Sequence, residues 1–219
     1  LLFGMYPDVL NHPGEEREIL KNLVSSYLYR DLLQLNDIRK PEVLEKLVQV
    51  LALQLGNEVN YNELASLVGV NKGTIQSYIE LLEQGFVIFR LGSFSRNLRN
   101  EIKQNRKVYF YDNGLRNAVI GNFTPFDLRA DKGALWENFL AAERVKQLDY
   151  KQHHAHKYFW RTKQQQEVDW VEEIDGQLKA WEFKWKANKN AGSRTFENAY
   201  GTPIASVNRE NFRDFVMQL

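Results

Sequence analysis

The sequence predicts a mixed protein of the α+β/α/β class, with a helical first half and a second half organised on a β-hairpin. Three observations predict it. Apolar residues recur at helical spacing from Ile19 to Leu82, broken by Pro41, Gly56, Gly69 and Gly85. Two short β-type runs then flank a basic polar stretch. Finally, the residues from Tyr158 to Lys186 alternate in polarity about an Asp175-Gly176 turn.

The bulk properties bound the function classes. The 219 residues suffice for one large domain or two small ones. The formal net charge is +1, so any nucleic-acid footprint must be local. The chain has no cysteine, which excludes disulfides and thiolate metal sites and fits a reducing cytoplasm. No apolar run reaches the roughly 20 residues of a membrane helix, so no membrane partner is expected. A phosphate-binding loop of the Gly-x-x-x-x-Gly-Lys-Ser/Thr type is absent, so no ATP site is expected in these residues. The chain opens on Leu1 without a start signal, which reads as part of a longer protein.

Taken in order, Pro7 and Pro13-Gly14 punctuate the start. From Glu15 to Leu35 apolar residues repeat every three or four positions and predict a helix, with Glu15, Glu16 and Glu18 at its positive end. Pro41 opens a second helix to about Leu55, apolar over a wide arc. Asn60 and Glu63 resemble a capping box for a short helix through Val68. Asn71 caps a third helix, with Ile75, Tyr78, Ile79 and Leu82 inward, which ends at Gly85. Phe86–Leu91 and Lys107–Tyr111 read as strands. Three helices, a tight turn and a two-stranded wing make a winged helix-turn-helix.

Such a domain can bind DNA through its third helix and its wing. The helix offers Lys72, Thr74 and Gln76. The wing offers Arg90, Arg96, Arg99, Lys103, Arg106 and Lys107 against Glu101 alone. Asp112–Arg116 starts a further short helix, and Asn122–Asp127 reads as a linker. A helix over Lys132–Leu148 follows, with Leu135, Phe139, Ala142 and Val145 inward and Glu137 beside them. His153, His154 and His156 read as a solvated connection rather than a zinc site, because no further ligands stand at suitable spacing. After the hairpin come a short helix near Thr195–Tyr200, a strand over Pro203–Val207 and a last helix, Arg209–Gln218, capped by Asn208.

The hairpin carries the chemistry. Tyr158–Arg161 and Glu167–Glu173 read as one strand, continued or resumed, and Leu178–Trp185 as the other. The turn places Asp169 opposite Glu182 and Glu167 opposite Lys184. Alternation then puts Asp169, Glu182 and Lys184 on one face, and Val168, Trp170, Trp181, Phe183 and Trp185 on the other. Carboxylates paired across strands repel. A hard cation such as Mg²⁺ would offset that repulsion. A solvated face with a Glu167–Lys184 ion pair is the plainer alternative.

The order of Glu137 on a helix, Asp169 on a strand and Glu182-Phe183-Lys184 on the next strand resembles the PD-(D/E)XK nuclease superfamily. Val168 stands where the motif's proline would be. The strings GMYPDVL, YLYRDLL, NYNELASLVGVNKGTIQSYIELLE, KVYFYDNGLRNAVIG, GALWENFLAAE and YFWRTKQQQEVDWV with WEFKW resemble, in that order, the C-terminal region of a bacterial and archaeal family of AAA-type ATPases. The resemblance implies a helical remnant over residues 1–40, a winged helix over 41–121, and a restriction-endonuclease-like α/β domain with a central mixed sheet over 122–219. It implies Mg²⁺ on Asp169 and Glu182, assistance from Glu137, and Lys184 orienting a water, with Arg161 and Lys163 near phosphate. The implied partners are DNA, the protein's own N-terminal ATPase module (the only place ATP would bind), and a second copy of the chain. Three readings compete: a metal-dependent nuclease, an inactive DNA- or protein-binding module, and a structural element for self-association.

Overall fold

The computed structural model describes residues 1–31, 40–96, 106–186 and 194–217. It divides into two compact units, Leu1–Arg90 with Val108–Asn138, and Leu91–Lys107 with Phe139–Leu219. Arg99 and Lys103 lie outside the described residues.

In the first unit, α1 (Pro7–Asn11) and α2 (Glu16–Leu23) lead into π-helical backbone over Val24–Asp31. The predicted helix to Leu35 therefore ends its α-helical course at Leu23, and Leu32 and Leu35 lie outside the described residues. The hydroxyls of Ser25 and Ser26 both donate to Asn22 O, at 3.1 and 2.5 Å. They compete for a carbonyl that the α-helical ladder needs, which accounts for the change of helix type.

Pro41 occupies the first turn of α3 (Pro41–Leu53), which buries Val43, Leu44, Leu47, Val48, Leu51 and Ala52. After β1 (Glu58–Val59) come α4 (Tyr61–Val68) and α5 (Lys72–Gln84). Both are capped as the sequence predicts. Asn60 Oδ1 accepts from Asn62 N and Glu63 N, and Asn71 Oδ1 accepts from Thr74 N at 2.9 Å. Gly69 closes α4 in the left-handed region at φ 79°, a conformation a side chain would strain. β2 (Ile88–Ser93), β3 (Arg106–Phe110) and α6 (Asn113–Val119) follow, with Asp112 as N-cap of α6. The strand order is β1-β3-β2. Leu44, Leu47, Leu64, Ile75, Ile79 and Phe110 sit in one core with Leu135 of α7 (Lys132–Tyr150).

The opening segment is part of this unit. Met5 N donates to Asp112 Oδ2 at 2.7 Å, and Asn117 Nδ2 donates to Leu2 O at 2.8 Å. A Cβ on Gly4 would collide with the Asp112 carboxylate, and one on Gly114 with Phe3 O. Nearby, Asp131 receives Arg116 at 2.6 Å and Arg129 at 2.7 Å, and Arg116 Nε also donates to Ala52 O. Both guanidinium groups are buried.

In the second unit, β4 (His156–Arg161), β5 (Glu167–Ile174) and β6 (Gln177–Phe183) precede α8 (Arg194–Tyr200), β7 (Ile204–Val207) and α9 (Phe212–Met217). The order runs β2-β4-β5-β6-β7, which completes a seven-stranded mixed sheet. β2 pairs parallel with β4, β6 pairs parallel with β7, and the other two pairings are antiparallel. Tyr158–Arg161 and Glu167–Glu173 are thus separate antiparallel strands, not one strand continued. Thr162 folds the chain back: Gln165 N donates to Thr162 O and Gln166 N to Thr162 Oγ1. The final helix starts at Phe212 rather than Arg209, because Asn208 Oδ1 holds Glu210 N in a turn before it.

The hairpin turn is as predicted. Ile174 pairs with Gln177 across Asp175 (φ 51°) and Gly176 (φ 77°), both left-handed, as a type I′ turn requires. The register then runs to Trp170↔Trp181. On the other edge of β5 the register slips: Tyr158 faces Val171 but Trp160 faces Val168. Two steps on β4 match three on β5, so β5 carries a β-bulge at Asp169-Trp170.

The bulge corrects one expected face. Val168 does not pack with Trp170; it joins Val171, Ala180, Trp160, Phe94 and Phe196 in one cluster. Trp170 instead donates through Nε1 to Glu172 Oε1 at 2.7 Å. Glu172, fully buried, holds Arg144 of α7 through both oxygens, at 2.6 and 2.9 Å. The Arg144 guanidinium also lies against the rings of Trp181 and Phe215.

Candidate functional site

Asp169, at the bulge, is aimed at the next strand. Its Oδ2 accepts from Phe183 N at 2.6 Å. Phe183 is the middle residue of Glu182-Phe183-Lys184, so this bond brings Asp169 to that tripeptide. Among the described residues the β5–β6 ladder has its last pair at Trp170↔Trp181, although both strands continue. The Asp169 carboxylate takes the place of a backbone acceptor where the ladder stops.

Lys184, just past the end of β6, places its Nζ 2.6 Å from Glu182 Oε1. The second oxygen, Glu182 Oε2, is buried and has no hydrogen-bond partner among the described residues. The expected Glu167–Lys184 pair does not form. Glu167 Oε1 is ion-paired with Lys107 Nζ, and Arg161 Nε lies 3.7 Å from Glu167 Oε2. The bulge moves Glu167 out of the register that would have placed it across from Lys184. A carboxylate oxygen of Glu167 lies within 4.8 Å of one of Asp169. Glu167 is therefore an acid of this site, which alternation alone assigned to a surface ion pair.

Glu137 lies on α7 in the first unit. The Tyr109 hydroxyl donates to its Oε1 at 2.6 Å.

The residues expected to meet DNA are placed variously. Lys72 and Gln76 are exposed on α5, and Thr74 is half-buried with its hydroxyl 3.3 Å from Asn71 Oδ1. Arg106 is exposed. Arg96 lies over the Tyr200 ring. Arg90 corrects the expectation of a free basic wing: its guanidinium binds Glu83 at 2.5 Å and the Tyr61 hydroxyl at 2.9 Å. Lys107 is likewise buried, with its ammonium on Glu167 and over the Phe159 ring. Arg161 is half-buried beside Glu167, not exposed with Lys163. A separate cavity of about 280 Å³ is lined by Arg144, Lys179, Trp181, Ser206, Asp214 and Phe215 among others, and it includes neither Asp169 nor Glu182.

Residues 1–125 match the model of a domain of unknown function, DUF8612. The chain belongs to the DUF8612 family. Residues 132–211 match a second domain of unknown function, DUF4143. An uncharacterized protein of Mycobacterium tuberculosis is 27% identical over 184 residues, which is 83% of this chain and 41% of the relative. An uncharacterized protein of Haemophilus influenzae is 26% identical over 54% of this chain and 31% of its own length. One from Methanocaldococcus jannaschii is 24% identical over 64% of this chain and 32% of its own length. This DUF8612 chain thus spans less than half the length of these relatives. No solved structure matches it.

Proposed function

We propose that this chain is the C-terminal part of an AAA-type ATPase, pairing a winged-helix DNA-binding module with a PD-(D/E)XK site that hydrolyses phosphodiesters with Mg²⁺. The observation that carries the reading is the bond from Phe183 N to Asp169 Oδ2, which joins the motif's aspartate to its Glu-x-Lys tripeptide. The sheet order β1-β3-β2 beside α3, α4 and α5 supports the winged-helix reading.

The donor set fits a magnesium ion. Asp169 and Glu182 offer hard carboxylate oxygens, and buried Glu182 Oε2 lacks a hydrogen-bond partner among the described residues. Asp169 and Glu182 would hold the ion. When bound, Mg²⁺ polarises a phosphoryl oxygen and lowers the pKa of a bound water.

The chain's own residues do the rest. The peptide N–H of Phe183 fixes the Asp169 rotamer. Lys184, anchored on Glu182, places a cation where negative charge grows on the phosphate. Lys107 and Arg161 balance Glu167, which offsets its repulsion with Asp169.

The same pairings favour a second reading. Glu182 and Glu167 each have a basic partner, as a retained but inactive platform for DNA or protein would require.

Calorimetric titration of Mg²⁺ and Mn²⁺ into wild type and Asp169→Asn/Glu182→Gln separates them, followed by cleavage assays on single- and double-stranded DNA. The nuclease reading expects binding lost in the double variant together with metal-dependent cleavage by wild type. Salt-sensitive DNA binding that survives the double substitution without any cleavage selects the platform.

A further inference from the structure

Ser206 stands on β7 in register with Glu182 on β6. Paired residues on neighbouring strands leave the sheet on the same face, about 4.8 Å apart. Ser206 Oγ is buried, and so is Glu182 Oε2; neither has a hydrogen-bond partner among the described residues. A buried polar atom without a partner costs about 1–3 kcal/mol. Two such atoms on residues paired in register call for a shared partner rather than two separate explanations.

The carboxylate can only accept, and the hydroxyl can both donate and accept. A hydrated cation meets both needs: the ion takes Glu182 Oε2, and a water in its shell donates to Ser206 Oγ. Mg²⁺ suits this because it keeps several of its waters when it binds protein.

We propose that Ser206 is a positioning residue of the metal site, accepting from a water held by the ion on Asp169 and Glu182. The proposal rests on the metal-site reading given above. In this reading Ser206 acts only through that water and binds neither the ion nor the substrate. Outer partners of this kind carry about 10- to 100-fold in metal affinity.

Threonine keeps the hydroxyl and suits a strand, whereas valine has threonine's shape without it. The whole chain would be titrated with Mn²⁺, read by the paramagnetic resonance of the free ion, as wild type, Ser206→Thr, Ser206→Val and Asp169→Asn/Glu182→Gln. Thermal melting without metal would accompany each. The expected result is Mn²⁺ affinity near wild type for Ser206→Thr and weaker by about 10- to 100-fold for Ser206→Val, with a metal-free melting temperature no lower for valine than for threonine. Equal affinity of the valine and threonine variants would overturn the role of Ser206, provided the double carboxylate variant has lost binding. Wild-type affinity in the double variant would overturn the metal-site reading itself.

Discussion

At the scale of the residue, the most consequential pair is Arg144 with Glu172. Both side chains are buried, and the glutamate is shared between the guanidinium and the Trp170 indole. Removing the charge from one member leaves the other buried without its counter-ion. Such losses cost about 3–5 kcal/mol, against nearly nothing for an exposed pair. Glu172→Gln is therefore expected to lower the unfolding free energy by that amount in urea denaturation, while Lys146→Gln, on the part-buried Glu143–Lys146 pair, changes it by less than about 1 kcal/mol. Sequence alone did not separate these two cases. Glu172 sits in a run with Glu173, and nothing local distinguishes the acid that faces Arg144 from its half-buried neighbour.

At the scale of the element, caps and turns were legible because their causes lie within four residues. Asn71 shows it: one side-chain oxygen satisfies Thr74 N, a donor that the first turn of α5 cannot satisfy internally. Asn71→Ala should destabilise the first unit by about 1 kcal/mol, and Asn71→Asp by much less, as read by the midpoint of chemical denaturation. The Asp175-Gly176 turn and the register beside it were legible for the same reason. The bulge was not. Strict alternation assumes a period of two, and an extra residue has no compositional mark in Gln166-Glu167-Val168-Asp169-Trp170. Its effects on Val168 and Glu167 were missed together. The pairing of Lys107 with Glu167 joins residues far apart in the chain, which no local pattern reports. The change to π-helix after α2 was half visible: Ser25 and Ser26 are in the sequence, but their shared use of Asn22 O is not.

At the scale of the whole molecule, acid should act through the first unit's Arg116–Arg129–Asp131 cluster. Arg129 hydrogen bonds, with Arg116 adding, hold the Asp131 carboxyl down from an ordinary 3.8 to about 2. Its folded value lies below its unfolded one. The stability it contributes is therefore complete above about pH 4 and is lost as pH falls towards 2. Asp131→Asn should flatten the decline of thermal midpoint between those two pH values and lower the plateau above them. The neighbouring Arg116 guanidinium is pushed below its usual range by burial but remains a cation throughout that window. The division into two units also shows where linear reading fails. Leu91–Lys107 belongs with Phe139–Leu219, across residues of the other unit, so no single cut of the sequence separates the parts.

The bulge at Asp169 has a bearing on how sequences of this family can diverge. β5 is in one phase with β4 before Asp169 and in another after it, while its partner β6 tracks only the later phase. A gap placed between Glu167 and Trp170 in an alignment would exchange the neighbours of every side chain upstream of it, separating Glu167 from Lys107 and Val168 from its cluster. A gap between Arg161 and Glu167 would change only the length of a surface turn. Relatives that keep the acids should therefore hold the Glu167–Trp170 spacing fixed and spend their length variation on the turn before it.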